Sequence, residues 1–138
     1  MKMENKNTEI IKEVMDEIDS ALKDPNGINS HQRRIAFSLS LGVVFLIEEY
    51  LKKKEVFKSG AKINHLWLKK KRDNVKKLIS NHVTCPVEKI VGLDKLLDLA
   101  FKIEKDRNEI AYGKVVSGKV LNEKINLFLE LKNGVEND

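Results

Sequence analysis

The sequence predicts an all-α protein, a single up-and-down bundle of about five helices. The composition is 41% hydrophobic and 34% charged with only 2 prolines and 7 glycines, which suits helices better than a turn-rich sandwich or a disordered chain. Apolar residues recur at three- and four-residue intervals through most of the chain, the period of one helix face. At 138 residues the chain is long enough to bury one contiguous core without disulfide or metal staples. No internal repeat, low-complexity tract or linker divides it, so residues 1–138 read as one domain with an ordered core over about residues 8–132.

The first helix is expected over residues 8–23, with Ile10, Ile11, Val14, Ile18, Ala21 and Leu22 on one side. Asp24-Pro25-Asn26-Gly27 stops it, because proline disfavours helix at the residue before it and Asn-Gly is a turn signal. Ser30 is placed to cap a second helix over 31–54. That helix is apolar on nearly every side between Ile35 and Ile47, so it belongs at the centre of the bundle. The run is broken by Ser38 and Ser40 and closely flanked by Arg33, Arg34, Glu48 and Glu49, and it falls short of the roughly 20 apolar residues that span a bilayer.

A third helix is expected over 63–81, with Ile63, Leu66, Trp67, Val75, Leu78 and Ile79 inward and Lys69, Lys70, Lys71 and Arg72 outward. Pro86 marks the next boundary. The fourth helix, 87–112, carries the stripe Ile90, Leu93, Leu96, Leu97, Ala100, Ile103, Arg107, Ile110 and Ala111. Gly113 follows where helices commonly turn left-handed. Ser117 caps a last helix over 118–132, with Leu121, Ile125, Phe128 and Leu131 on one side, and the tail 133–138 frays.

The net charge of +5 is unevenly spread. Between Lys52 and Lys77 eleven basic residues face only Glu55 and Asp73, a local balance of +9 that leaves −4 elsewhere. A block of this kind is the electrostatic footprint of a polyanion binder. It is equally the composition of a solvated lysine-rich surface, and it lacks interleaved aromatic residues for base stacking.

Cys85 is the single cysteine, which rules out an intramolecular disulfide and a multi-thiolate metal site and suits a reducing compartment. Residues 1–17 lack the apolar core and cleavage site of a secretory signal, so a cytoplasmic location is expected. There is no glycine-rich phosphate loop, dinucleotide fingerprint, serine elbow or histidine pair at metal-ligand spacing; no metal or cofactor is expected. His31, His65 and His82 lie in separate segments, and Cys85 reads as a packing residue rather than a nucleophile.

The most informative segment is Arg107-Asn108-Glu109-Ile110-Ala111-Tyr112-Gly113. Arg107 interrupts an apolar stripe, and a guanidinium does not lose its proton. It therefore either meets a carboxylate such as Glu104 or opens onto a cleft where an anion can bind.

This segment resembles the end of the penultimate helix in HEPN domains, small helical bundles of bacteria and archaea. Arg107, Asn108, Ala111 and Gly113 match the family's Arg-x4–6-His pattern, and His65 with Leu68 is similar to a recurrent histidine near the start of its third helix. The resemblance follows the order of helices from about residue 8 to 132. It implies a homodimer in which two motifs share a cleft, an RNA or nucleotide ligand, and, for the ribonuclease members, metal-free cleavage with the arginine on the scissile phosphate. Toxin members pair with a minimal nucleotidyltransferase, which is the partner implied here.

The sequence departs from the family at Tyr112, where the ribonucleases have histidine. A phenol with an ordinary pKa near 10 is ionised at only about one part in a thousand at pH 7. On a regular helix, residues five apart also point roughly 140° away from each other. The expected function is therefore a homodimeric HEPN-like module that binds RNA or a nucleotide phosphate through Arg107 and Asn108, extended by Lys69, Lys70, Lys71 and Arg72, without efficient catalysis. Two alternatives stand beside it. One is an active ribonuclease, with Arg107 and Tyr112 as the catalytic pair or with a histidine such as His65 brought close by folding. The other is a bundle that binds another protein.

Overall fold

The computed structural model describes residues 5–137, and among them the fold is all-α. Six α-helices form: α1 (Asn5–Lys23), α2 (Gln32–Lys53), α3 (Arg72–Ile79), α4 (Leu93–Glu104), α5 (Arg107–Tyr112) and α6 (Gly118–Glu136). Short 3-10 turns at Ile28–His31, His65–Lys69, Ser80–His82 and Val87–Lys89 occupy the connections. No strand forms among the described residues, and one isolated bridge pairs Phe57 with Val83.

The apolar run of α2 places it at the centre, in contact with α1, α4, α5 and α6. Ile35, Leu39, Val43, Leu46, Ile47 and Leu51 are all buried and join residues of α1, α3, α4 and α6 in one core. Gly42 lets α6 come close, because a Cβ there would lie 2.6 Å from the Phe128 ring. A smaller apolar cluster of Ala36, Ile110, Ala111 and Leu121 pins α5 between α2 and α6.

Two of the expected helices are broken. In the third segment Lys70 and Lys71 are extended, so a 3-10 turn is followed by the eight-residue α3 rather than one helix. The physical reason lies in the pattern: no apolar residue falls between Leu68 and Val75 to hold a helix face on the core. Leu66, expected inward, is 52% exposed, as is Leu22 at the end of α1.

The fourth segment opens with a 3-10 turn, starts α4 only after the left-handed Gly92, and breaks again at Asp106, whose φ of 66° lies in the left-handed region. Lys124 of α6 closes the end of α4 by donating to the Lys102 and Lys105 carbonyls at 2.6 and 2.7 Å. Its burial lowers the pKa of its ammonium.

At the other end of α2, Ser30 is not the cap. It lies in the preceding 3-10 turn, where its hydroxyl donates to the Gly27 carbonyl and Asp24 carboxylate. His31 precedes α2 instead, its ring held between Glu17 at 2.7 Å and Asp24 at 2.8 Å. Glu17 and then Asp24 raise the imidazole pKa.

Ser117 does cap α6, its hydroxyl accepting from the Val120 amide. The expected fraying beyond residue 132 is not found, because α6 continues to Glu136 with Val135 buried. Lys53 of α2 donates to the Val135 and Glu136 carbonyls, both at 3.0 Å. The last residue of that predicted tail, Asp138, lies outside the described residues.

Candidate functional site

Arg107 opens α5, immediately after the left-handed Asp106, and its guanidinium lies 4.9 Å from the centre of the Phe37 ring on α2. Nη1 donates to the Asn108 side-chain oxygen at 2.9 Å. Nε is buried and has no hydrogen-bond partner. No carboxylate lies within ion-pair distance of Arg107 among the described residues.

Glu104, the local acid that the sequence offered as partner, is buried and turned to Ser40, whose hydroxyl donates to Oε1 at 3.0 Å. Its Oε2 has no partner. Burial raises the carboxyl pKa, while Ser40 and then the charges of Arg107, Lys69 and Lys124 act the other way.

Arg107 forms part of the wall of a cleft of about 800 Å³ that runs from α2 to the segment between α2 and α3. Its apolar lining is Phe37, Leu41, Val44, Ile63, Leu66 and Trp67. Its polar lining brings Lys62, Asn64, His65 and His82 into the same space. Trp67 and His82 stack with centroids 5.0 Å apart and planes 22° from parallel.

The segment carrying Arg107 is held by two α2 side chains. The buried Gln32 donates from Nε2 to the Ile110 and Lys114 carbonyls at 2.9 and 3.1 Å, and its Oε1 accepts from the Val116 amide at 3.0 Å. Arg33 donates to the Ala111 carbonyl at 2.9 Å. Gly113 ends α5 in extended rather than left-handed backbone, and its role is steric: a Cβ there would meet the Glu109 carbonyl oxygen at 2.5 Å.

The other expected site residues are dispersed. Tyr112 is 69% exposed and outside the cleft wall, its ring edge-on to Phe37 at 5.7 Å. Arg107 and Tyr112 therefore reach one ring from opposite ends of α5 without forming a pair. Asn108 is exposed and serves as acceptor for Arg107.

The four consecutive cations do not share a helix face. Lys69 ends the 3-10 turn and is near enough to Glu104 to act on its charge. Lys70 and Lys71 are exposed, and Arg72 pairs with Asp98 at 3.1 Å. Lys71 and Arg72 line a separate depression with Asp73, Asp98 and Phe101. Farther along α3, Lys76 pairs with Asp94 at 3.0 Å. Acids of α4 thus offset part of the basic block.

Phe37, Trp67 and His82 were not singled out by sequence reasoning. A weak signal existed for Phe37: α2 is apolar on more sides than its neighbours cover, so Phe37 and Leu41 emerge 41% and 46% exposed. Among the described residues no helix is long and apolar enough to cross a membrane, and no three His, Cys, Asp or Glu side chains converge as a metal-ligand set. Comparison with protein-family models, curated proteins and solved structures finds no match to this chain.

Proposed function

We propose that the cleft beside Arg107 binds a phosphate-bearing ligand, a nucleotide or RNA, and that the protein is a HEPN-like module acting by binding rather than by efficient cleavage. The observation that carries this reading is the guanidinium itself. It is fixed by a neighbouring amide and an aromatic ring, lacks an ion-pair partner among the described residues, and lines a cleft. A cation so placed is ready for a charge-assisted bond to an anion. Tyr112, turned to Phe37 and solvent, supports binding over proton transfer.

A labelled single-stranded RNA titrated at low salt tests the assignment. Arg107→Ala is expected to weaken binding by about tenfold or more, and a Lys70→Ala/Lys71→Ala variant by much less. The reverse order would move the site to the lysine cluster, and loss of all RNA and phosphate binding in the wild type would favour a protein-interaction bundle.

The ribonuclease reading keeps one specific support: His65 and His82 line the same cleft as Arg107, and imidazoles suit proton transfer near neutrality. Cleavage of a mixed RNA pool that vanishes in both Arg107→Ala and His65→Ala, with the fold retained, would establish it. Self-association is part of the proposal as well. Phe37, Leu41 and Leu66 are exposed at the cleft and Tyr112 lies against Phe37, an apolar group that a second copy would cover. Sedimentation of Leu41→Glu beside the wild type reads this directly: a dimer is expected only in the wild type.

A further inference from the structure

The cleft is larger and more apolar than a phosphate requires. A phosphate contacts a few donors and stays hydrated elsewhere, whereas this open cleft of about 800 Å³ has the volume for a whole small ligand. Its wall includes aromatic rings from three separate segments. Phe37 comes from α2, Trp67 from the turn at His65–Lys69, and His82 from the turn at Ser80–His82.

Trp67 and His82 are only partly buried, and they already form a stack 5.0 Å between centroids. The Arg107 guanidinium lies over Phe37 in the same cleft. An aromatic pair and a cation with no carboxylate partner among the described residues, lining one cavity, suit a ligand with a flat π-system and an anion joined together.

We propose that the Trp67–His82 stack is the platform for the unpaired base of a nucleotide whose phosphate rests on Arg107. The proposal rests on the reading of Arg107 as an anion site and adds the base to it. A base within a duplex is already stacked and paired, and using it here would first require extruding it. The ligand is therefore a free nucleotide or a single-stranded residue. Indole stacks on any base through its π-face, so discrimination among bases is weak unless edge contacts add to it. Asn64 lines the cleft, and because its side-chain oxygen accepts from the Leu66 amide, its amide nitrogen is the donor it would offer to such a contact.

Trp67 is the only tryptophan in the chain, so its fluorescence reports the platform without labelling. Adenosine 5′-monophosphate and ribose 5-phosphate, which share the phosphate and sugar and differ by the base, are the two probes. The nucleotide is expected to quench Trp67 and, by calorimetry, to bind about tenfold or more tighter than the sugar phosphate. Trp67→Leu should reduce nucleotide affinity to that of ribose 5-phosphate, Trp67→Phe should keep most of it, and Arg107→Ala should weaken both ligands.

Equal affinities for the two probes with unchanged fluorescence would overturn the platform and leave the phosphate site standing. Failure of both probes to bind would remove the two readings together. Should Trp67→Leu not fold, the wild-type comparison of the two probes still decides the question.

Discussion

Replacing Gln32 with alanine removes three hydrogen bonds that tie α2 to the segment around residues 110–116. The carbonyl of Ile110 is buried against the small apolar cluster, so it loses its side-chain partner where water has poor access. At about 1 kcal/mol net for each of the three bonds, the loss is about 3 kcal/mol, before any penalty for leaving a buried group short of a partner. For a domain of this size that corresponds to a fall in Tm of about 10 °C. Thermal melts and urea titrations followed by circular dichroism read this change. A Gln32→Glu variant should cost at least as much, because a carboxylate has no proton to donate to the two carbonyls unless it is itself protonated. The same substitutions should weaken phosphate binding although Gln32 does not line the cleft, since they release the segment that aims Arg107. A Gln32→Ala protein within about 0.5 kcal/mol of wild type would refute the reasoning, because it would mean that the three bonds are replaced without loss.

Three further outcomes follow from the packing and the titratable groups. Gly42→Ala places a methyl against the Phe128 ring, which is fully buried and boxed in, and should lower stability by about 1–3 kcal/mol in urea titration. His31 has its pKa raised by Glu17 and Asp24. Its contribution is therefore fully present below the unfolded value of about 6.5 and is lost as pH rises through the folded value; the Tm of the wild type should fall over that interval more than that of His31→Leu, and parallel curves would contradict the assignment. Glu104 has its carboxyl pKa raised by burial, so the folded state holds this proton more tightly than the unfolded chain and loses stability as pH rises above the ordinary carboxyl range. Glu104→Gln, which keeps the Ser40 bond without the charge, should gain in Tm relative to wild type as pH increases, and a difference independent of pH would count against it.

The sequence was most informative where its signals were local and mutually consistent. The apolar girdle of α2 put that helix at the centre, and Ser117 with Leu121, Ile125 and Phe128 gave α6 its start and buried face. The two broken helices were not legible, because apolar spacing on either side of a gap stays in phase whether or not the backbone between is helical. At Asp106 the break is decided by Lys124, which arrives from α6 to close α4, and no local residue announces it. The site divides in the same way. Arg107 stood out because a charge on an apolar stripe needs an explanation. Phe37 and Trp67 did not, since an aromatic residue at helical spacing reads as core, and His82 joins them only through the tertiary path of the chain. The cluster Lys69, Lys70, Lys71 and Arg72 shows the reverse error: contiguous charge in sequence became separate surroundings in space once Asp98 took Arg72.

The Gln32 and Arg33 bonds to the end of α5 join positions separated by 78 to 84 residues. A six-residue helix does not persist by itself in water, since nucleating it costs more than its few internal bonds return. The helix that presents Arg107 therefore has no early existence in folding; it appears when α2 and α6 have already met around it. Amide protons of α5 should exchange through openings that release these long-range bonds while the rest of the bundle stays folded, and the anion site should be the last local order the chain acquires and the first it gives up.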